Sequence, residues 1–193
     1  DNSIATKSVE AYLKLVGKKY LEYSLYQPVR ELCMNPDASV WEVDPQRLPG
    51  LTTSEIQLNQ ERLVQITQRT FNSITESVSA FPQELRELFA TWRAKCIQMN
   101  AIHLHSRLVC SLLFLRLICP AILSPSLFDL RHDLPNEKSC RALTLVAKSI
   151  HNLANDQKFG NKEPYMEFMN AFINGNKAKM ERFLERISTF DDS

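Results

Sequence analysis

Apolar residues recur at three- and four-residue intervals along most of the chain, and the strict alternation of a half-buried strand is scarce. After Ser3, a fitting N-cap, Val9, Tyr12, Leu13, Leu15 and Val16 predict a first helix that stops at Gly17. A second is predicted over about 20–34. The stretch "NPDASVWEVDPQRLPGLTT" then carries three prolines, a glycine and two aspartates, which rule out regular helix. It reads as a long irregular loop pinned by Trp41 and Val43.

A long helix is expected over about 54–77 on Ile56, Leu63, Ile66, Phe71 and Ile74. Pro82 opens the next, with Leu85, Leu88, Phe89 and Trp92 at helical spacing. From Leu104 to Cys119 the chain is apolar nearly all round, which predicts a central helix enclosed by its neighbours, kinked afterwards at Pro120 and Pro125. An amphipathic helix over 137–155 follows, and shorter ones over 163–173 and 177–187 close the chain. The fold class is all-α, an irregular helical bundle of about eight helices. Leu108 to Leu127 is long enough for a membrane span, but Arg116, Pro120, Ser124 and Pro125 interrupt it. A central arginine costs ~2.5–3.5 kcal/mol on insertion, so no direct membrane span is expected.

Composition narrows the chemistry. The 193 residues are 44 % hydrophobic, enough for a folded core, and 23 basic against 22 acidic residues give a net charge of +1. Such balance advertises no nucleic acid. Five cysteines without a C-x-x-C pair, and no N-x-S/T sequon, favour a reducing, cytoplasmic setting in which each cysteine is a small core residue. The chain begins at Asp1 without a methionine or signal peptide and reads as an excised piece of a larger parent. The four glycines are too far apart for a phosphate-binding loop. His103 and His105 point to different sides of a helix, as surface or boundary residues, so no metal site is expected.

Two features remain. Pro120 cannot donate to the carbonyl of Arg116, four residues back, which predicts a polar notch there. Arg116 itself sits among leucine, phenylalanine and isoleucine. An unpaired buried charge is costly, so its guanidinium either meets a buried carboxylate inside the protein or emerges to reach a partner. The second feature is the row Thr144, Lys148, His151 and Asn155 at i, i+4, i+7 and i+11, with Lys162 close behind. Such a row can be plain solvated surface. Its content, mostly hydrogen-bond donors, also suits an acidic or phosphate-bearing partner.

"FLRLICPAIL", "RALTLVAKSIHNLAN" and "KFGNKEPYMEFMNAF", with "SIATKSVEAYLKLVGKKYL" and "WEVDP" before them, resemble in order the Ras GTPase-activating domain family, whose signature is an F-L-R-x-x-x-P-A block. "SPSLF" and "FMNAF" are most similar to its synaptic Ras GAP subgroup, while "FLRLICPAIL" and "KEPYM" are equally similar to the founding Ras GAP. The resemblance covers nearly the whole chain and implies one domain, residues 1–193, that docks as a monomer on the GTP form of a Ras-family small GTPase, Ras or Rap. It implies no cofactor here, because GTP and Mg²⁺ belong to the partner, and no substrate site of the chain's own. Any recruitment to the inner face of the plasma membrane would come from regions outside this chain.

In the family, Arg116 corresponds to the arginine that steadies a finger loop through its backbone, and Leu115 lies against the GTPase. Positions matching Asn155 and Lys162 are implied to contact the partner, and Thr144, Lys148 and His151, on the same polar row, are candidates for binding it too. The position of His151 is commonly glutamine, so that contact either persists or becomes sensitive to pH. The catalytic arginine of the family stands immediately before the segment matching "DNSIATK", one position upstream of Asp1, and is expected in the parent. A parent without it would be a non-catalytic GTPase-binding scaffold of the same fold.

Overall fold

The hydroxyl of Ser3 accepts the Thr6 N–H at 3.2 Å and starts a 31-residue helix, α1, over Ile4–Met34. In the computed structural model, which describes residues 3–189, helices carry the fold, and no strand occurs among the described residues. The helix does not stop at Gly17, and the two segments expected at 3–17 and 20–34 are one. The glycine serves a different purpose. A Cβ built there would lie 2.7 Å from Cδ2 of Leu117, a fully buried side chain, so its absence is what lets α1 approach the middle of the chain.

The loop after α1 holds a 3₁₀ turn, Ala38–Trp41, with Trp41 and Val43 buried as expected. An ionic tie also pins it. Glu42, itself buried, accepts from Arg141 Nε at 2.8 Å through Oε2 and from Nη2 at 3.2 Å through Oε1. The N–H groups of Val43 and Asp44 donate to the same Oε1, each at 3.0 Å. Burial pushes the Glu42 carboxyl up, but Arg141 and the two N–H groups outweigh it and hold the acid below the usual carboxylate range.

Thr52 and Glu55 form a reciprocal cap at the start of α2, Thr53–Glu76. A 3₁₀ turn, Ser77–Ala80, leads to α3, Gln83–Gln98, and then to α4, Ile102–Leu113. A π-helical turn over Phe114–Ile118 and a short α5, Cys119–Leu123, continue the same path. The 3₁₀ turn Pro125–Phe128 precedes α6, Glu137–Ala154, whose first turn is capped by Asn136. The end of the chain departs from expectation: Pro164–Met169 is a 3₁₀ run, and α7 passes through Gly175 as Asn170–Arg186. A residue at 175 meets open space, so nothing there interrupts the helix. Seven α-helices among the described residues thus replace the eight expected.

Phe114, Leu117 and Ile118 are wholly buried against residues of α1, α6 and α7, and Phe114 meets Phe183 edge-on with ring centroids 6.2 Å apart. Yet this central segment is not enclosed all round. Leu104 and Leu108 are 40 % and 46 % exposed, so one face of α4 is open. Two further expectations fail: His105 is buried, with Nε2 3.2 Å from the Phe89 carbonyl, and Cys140 is exposed.

Gly17→Ala gains ~1 kcal/mol of helix propensity but forces a methyl into a packed core, at ~1–3 kcal/mol. We expect net destabilisation, read by urea unfolding, with Leu117→Ala in the same chain removing the clash. Glu42 contributes stability that is complete above its unfolded pKa of ~4.3 and is lost as pH falls through its depressed folded value. Glu42→Gln should therefore cost ~3 kcal/mol at pH 7 and much less at pH 3, measured by the same unfolding.

Candidate functional site

Because Pro120 has no N–H, the helix through Arg116 cannot keep its regular ladder. The chain widens by one residue instead, and the Cys119 N–H reaches the Phe114 carbonyl five residues back. What Pro120 produces here is a π turn over Phe114–Ile118. Phe114, Leu117 and Ile118 face the core, while Leu115 and Arg116 are half-exposed.

Arg116 donates from Nη1 to Oε1 of Glu10 on α1 at 3.0 Å. The two side chains are 39 % and 48 % exposed, so the pair is neither an internal salt bridge sealed in the core nor a free cation. A pair so exposed contributes ~0.2–1 kcal/mol to stability. Its remaining donors find no partner among the described residues. Along α1 the docking continues: the Lys14 amine lies 5.5 Å from the Phe128 ring centroid, and Lys18 is 2.9 Å from Asp129. Positions 10, 14, 17 and 18 share one side of the helix.

Beside the π turn opens a groove of about 900 Å³. Leu104, Leu108, Ser111 and Leu115 line one side, and Asn155, Asp156, Lys177 and Met180 the other. Leu115 and Asn155, forty positions apart, are thereby brought into one opening. Asn155 is held on its own helix: its Nδ2 donates to the His151 carbonyl at 3.1 Å and lies 3.3 and 3.4 Å from the two ring nitrogens of His151. Asp156 ends α6 in the left-handed conformation, φ 50°, so that Gln157 N–H can bond the Asn152 carbonyl at 2.8 Å. Its carboxylate meets Lys177 of α7 at 2.5 Å.

The rest of the row is less available than its residue types suggest. Lys148 is ion-paired with Glu163, which also accepts from the Tyr165 hydroxyl at 3.2 Å. Burial raises the Glu163 carboxyl, but Lys148 and Tyr165 hold it below the usual range. The Thr144 hydroxyl donates to its own helix at Cys140, 2.8 Å away. Lys162 is exposed and has no partner among the described residues. No group of three His, Cys, Asp or Glu among the described residues is arranged to hold a metal.

Sequence reasoning missed Glu10, Glu163, Asp156 and Lys177. The Asn-Asp pair closing α6 was a readable signal for a left-handed helix end; a contact spanning 106 residues, as between Glu10 and Arg116, leaves no local trace. At Asp156 a side chain is tolerated at positive φ, so Asp156→Gly should keep the fold. Asp156→Ala should be ~1 kcal/mol less stable than the glycine variant by thermal unfolding.

The profile of the family described as GTPase-activator protein for Ras-like GTPase matches residues 49–155. Among similar proteins, RAS protein activator like-3 of Mus musculus is 44 % identical over 191 residues, 99 % of this chain and 18 % of that protein. Ras GTPase-activating protein nGAP of Homo sapiens is also 44 % identical, over 99 % of this chain and 16 % of its own length. Ras GTPase-activating protein raskol of Drosophila melanogaster is 43 % identical over 97 % of this chain and 12 % of its own length. The chain thus spans less than a fifth of these relatives. With the family match over residues 49–155 and relatives 43–44 % identical over nearly all of its length, the chain belongs to the Ras GTPase-activating protein family.

Proposed function

We propose that residues 1–193 act as one cytoplasmic domain that binds the GTP form of a Ras-family GTPase and stimulates its hydrolysis of GTP. The observation that carries this reading is the shared groove: Leu115, next to Arg116, and Asn155 line one open, partly apolar cleft. A protein partner can lay apolar surface on Leu104, Leu108 and Leu115 while acidic groups meet Arg107, an exposed cation lining the same groove, the usual division between an interface core and its rim. GTP, Mg²⁺ and the attacking water are the partner's. The domain's contribution is electrostatic: in the Ras system an arginine supplied in trans offsets charge on the transferred phosphoryl group and is worth ~10³–10⁵ in rate. Arg116 steadies the segment that carries this arginine upstream of α1.

Single-turnover hydrolysis by a GTP-loaded Ras-type GTPase tests the proposal, using the parent protein with the residues upstream of Asp1 in place. Acceleration by orders of magnitude is expected. Arg116→Ala should lower the rate at saturation more than it weakens binding, because support of a finger matters most in the transition state. Asn155→Ala and Lys162→Ala should each weaken binding by ~1 kcal/mol, measured as Kd. Binding without acceleration would make the domain a scaffold, and no binding to the GTP form would reject the reading.

A further inference from the structure

The π turn fixes where Arg116 starts but not where its guanidinium points. Several rotatable bonds separate the two, and a long side chain at the surface samples many rotamers unless something holds it. In this fold the holder is Glu10, whose Oε1 accepts from Nη1 at 3.0 Å. The pair contributes little stability, both partners being about half-exposed, and α1 has other ties to this region in the Gly17–Leu117 contact and the Lys18–Asp129 pair. Its effect is therefore on direction. Glu10 also takes only one of the five N–H donors that the guanidinium carries, so the rest of the fork stays open.

The position of Glu10 matters as much as its charge. It lies in the second turn of α1, the element whose N-terminal end leads to the upstream segment, and it is bound to the one turn that presents Leu115 to the groove. A shift of the π turn is thus felt at the start of α1, and the reverse. We propose that Glu10 is a positioning residue for the stimulated reaction: it holds the Arg116 guanidinium in one direction and leaves its other donors open. This inference rests on the GTPase-activating reading above.

The test uses the parent protein with its upstream residues, in single-turnover hydrolysis over a range of domain concentrations. Glu10→Gln keeps the side chain's shape and removes its charge. It should lower the saturating rate about tenfold, the scale of a misaimed but intact arginine, while the half-saturating concentration and the melting temperature stay nearly constant. Glu10→Asp, one methylene shorter, should recover part of the rate. In the double variant Glu10→Gln/Arg116→Ala, the rate should be no lower than in Arg116→Ala alone, since the two act through one contact. A full rate in Glu10→Gln beside a slow Arg116→Ala would overturn the role of Glu10 and leave the proposed function standing. So would a rate loss in Glu10→Gln that merely tracks a lowered melting temperature. A full rate in Arg116→Ala would overturn the supporting role of both residues, whereas no acceleration by the unsubstituted parent would overturn the functional reading itself.

Discussion

The approach of α1 to the π turn, possible because Gly17 has no Cβ to meet Leu117, sets the position of everything around the candidate site. With α1 at that distance, Glu10 reaches Arg116 and Lys18 reaches Asp129. On the other side of the same turn, Phe114 closes on Phe183 of α7 and Leu115 borders the groove. Interiors packed this densely transmit displacement, so a methyl added at residue 17 is felt at both ends of that chain of contacts. A helix-stopping residue in the sequence is here a spacer inside a helix.

Charge is used in two ways along α6. At its start Arg141 is largely withdrawn from water and bound by Glu42, and this tie anchors the long loop to the core. Breaking such a pair leaves an uncompensated charge, so it acts on stability. At its end the helix reaches the groove with Asn155, whose amide makes short contacts to its own helix that a partner can exchange for its own. The same amphipathic pattern thus yields an end tied into the core and an end that opens on the groove, about four turns of helix apart.

Much of the fold could be read from periodicity. Ser3, the apolar spacing of Ile56, Leu63, Ile66, Phe71 and Ile74 and the amphipathic run of α6 announced their helices, and Trp41 and Val43 announced the buried pins of the loop. What periodicity misjudged was glycine and proline, whose local effects depend on tertiary contacts: Gly17 spaces helices, Gly175 faces open space, and Pro120 yields a π turn rather than a simple kink. At the site, the row on α6 was visible because it is local. Its availability was not, since Lys148 meets Glu163 across a loop and Glu10 meets Arg116 across 106 positions. The open face of α4 was equally hidden, because an apolar surface reads the same in sequence whether a neighbour or a partner covers it.

The central claim is that this face, the open side of α4 with the π turn and the end of α6, receives the GTP form of a Ras-family GTPase. Amide hydrogen exchange of the chain with a GTP-analogue-loaded and a GDP-loaded Ras-type GTPase tests it most directly. The account predicts added protection over 104–116 and 151–163 with the analogue-loaded form alone. Equal protection in both nucleotide states, or protection confined to the outer face of α1, would contradict it.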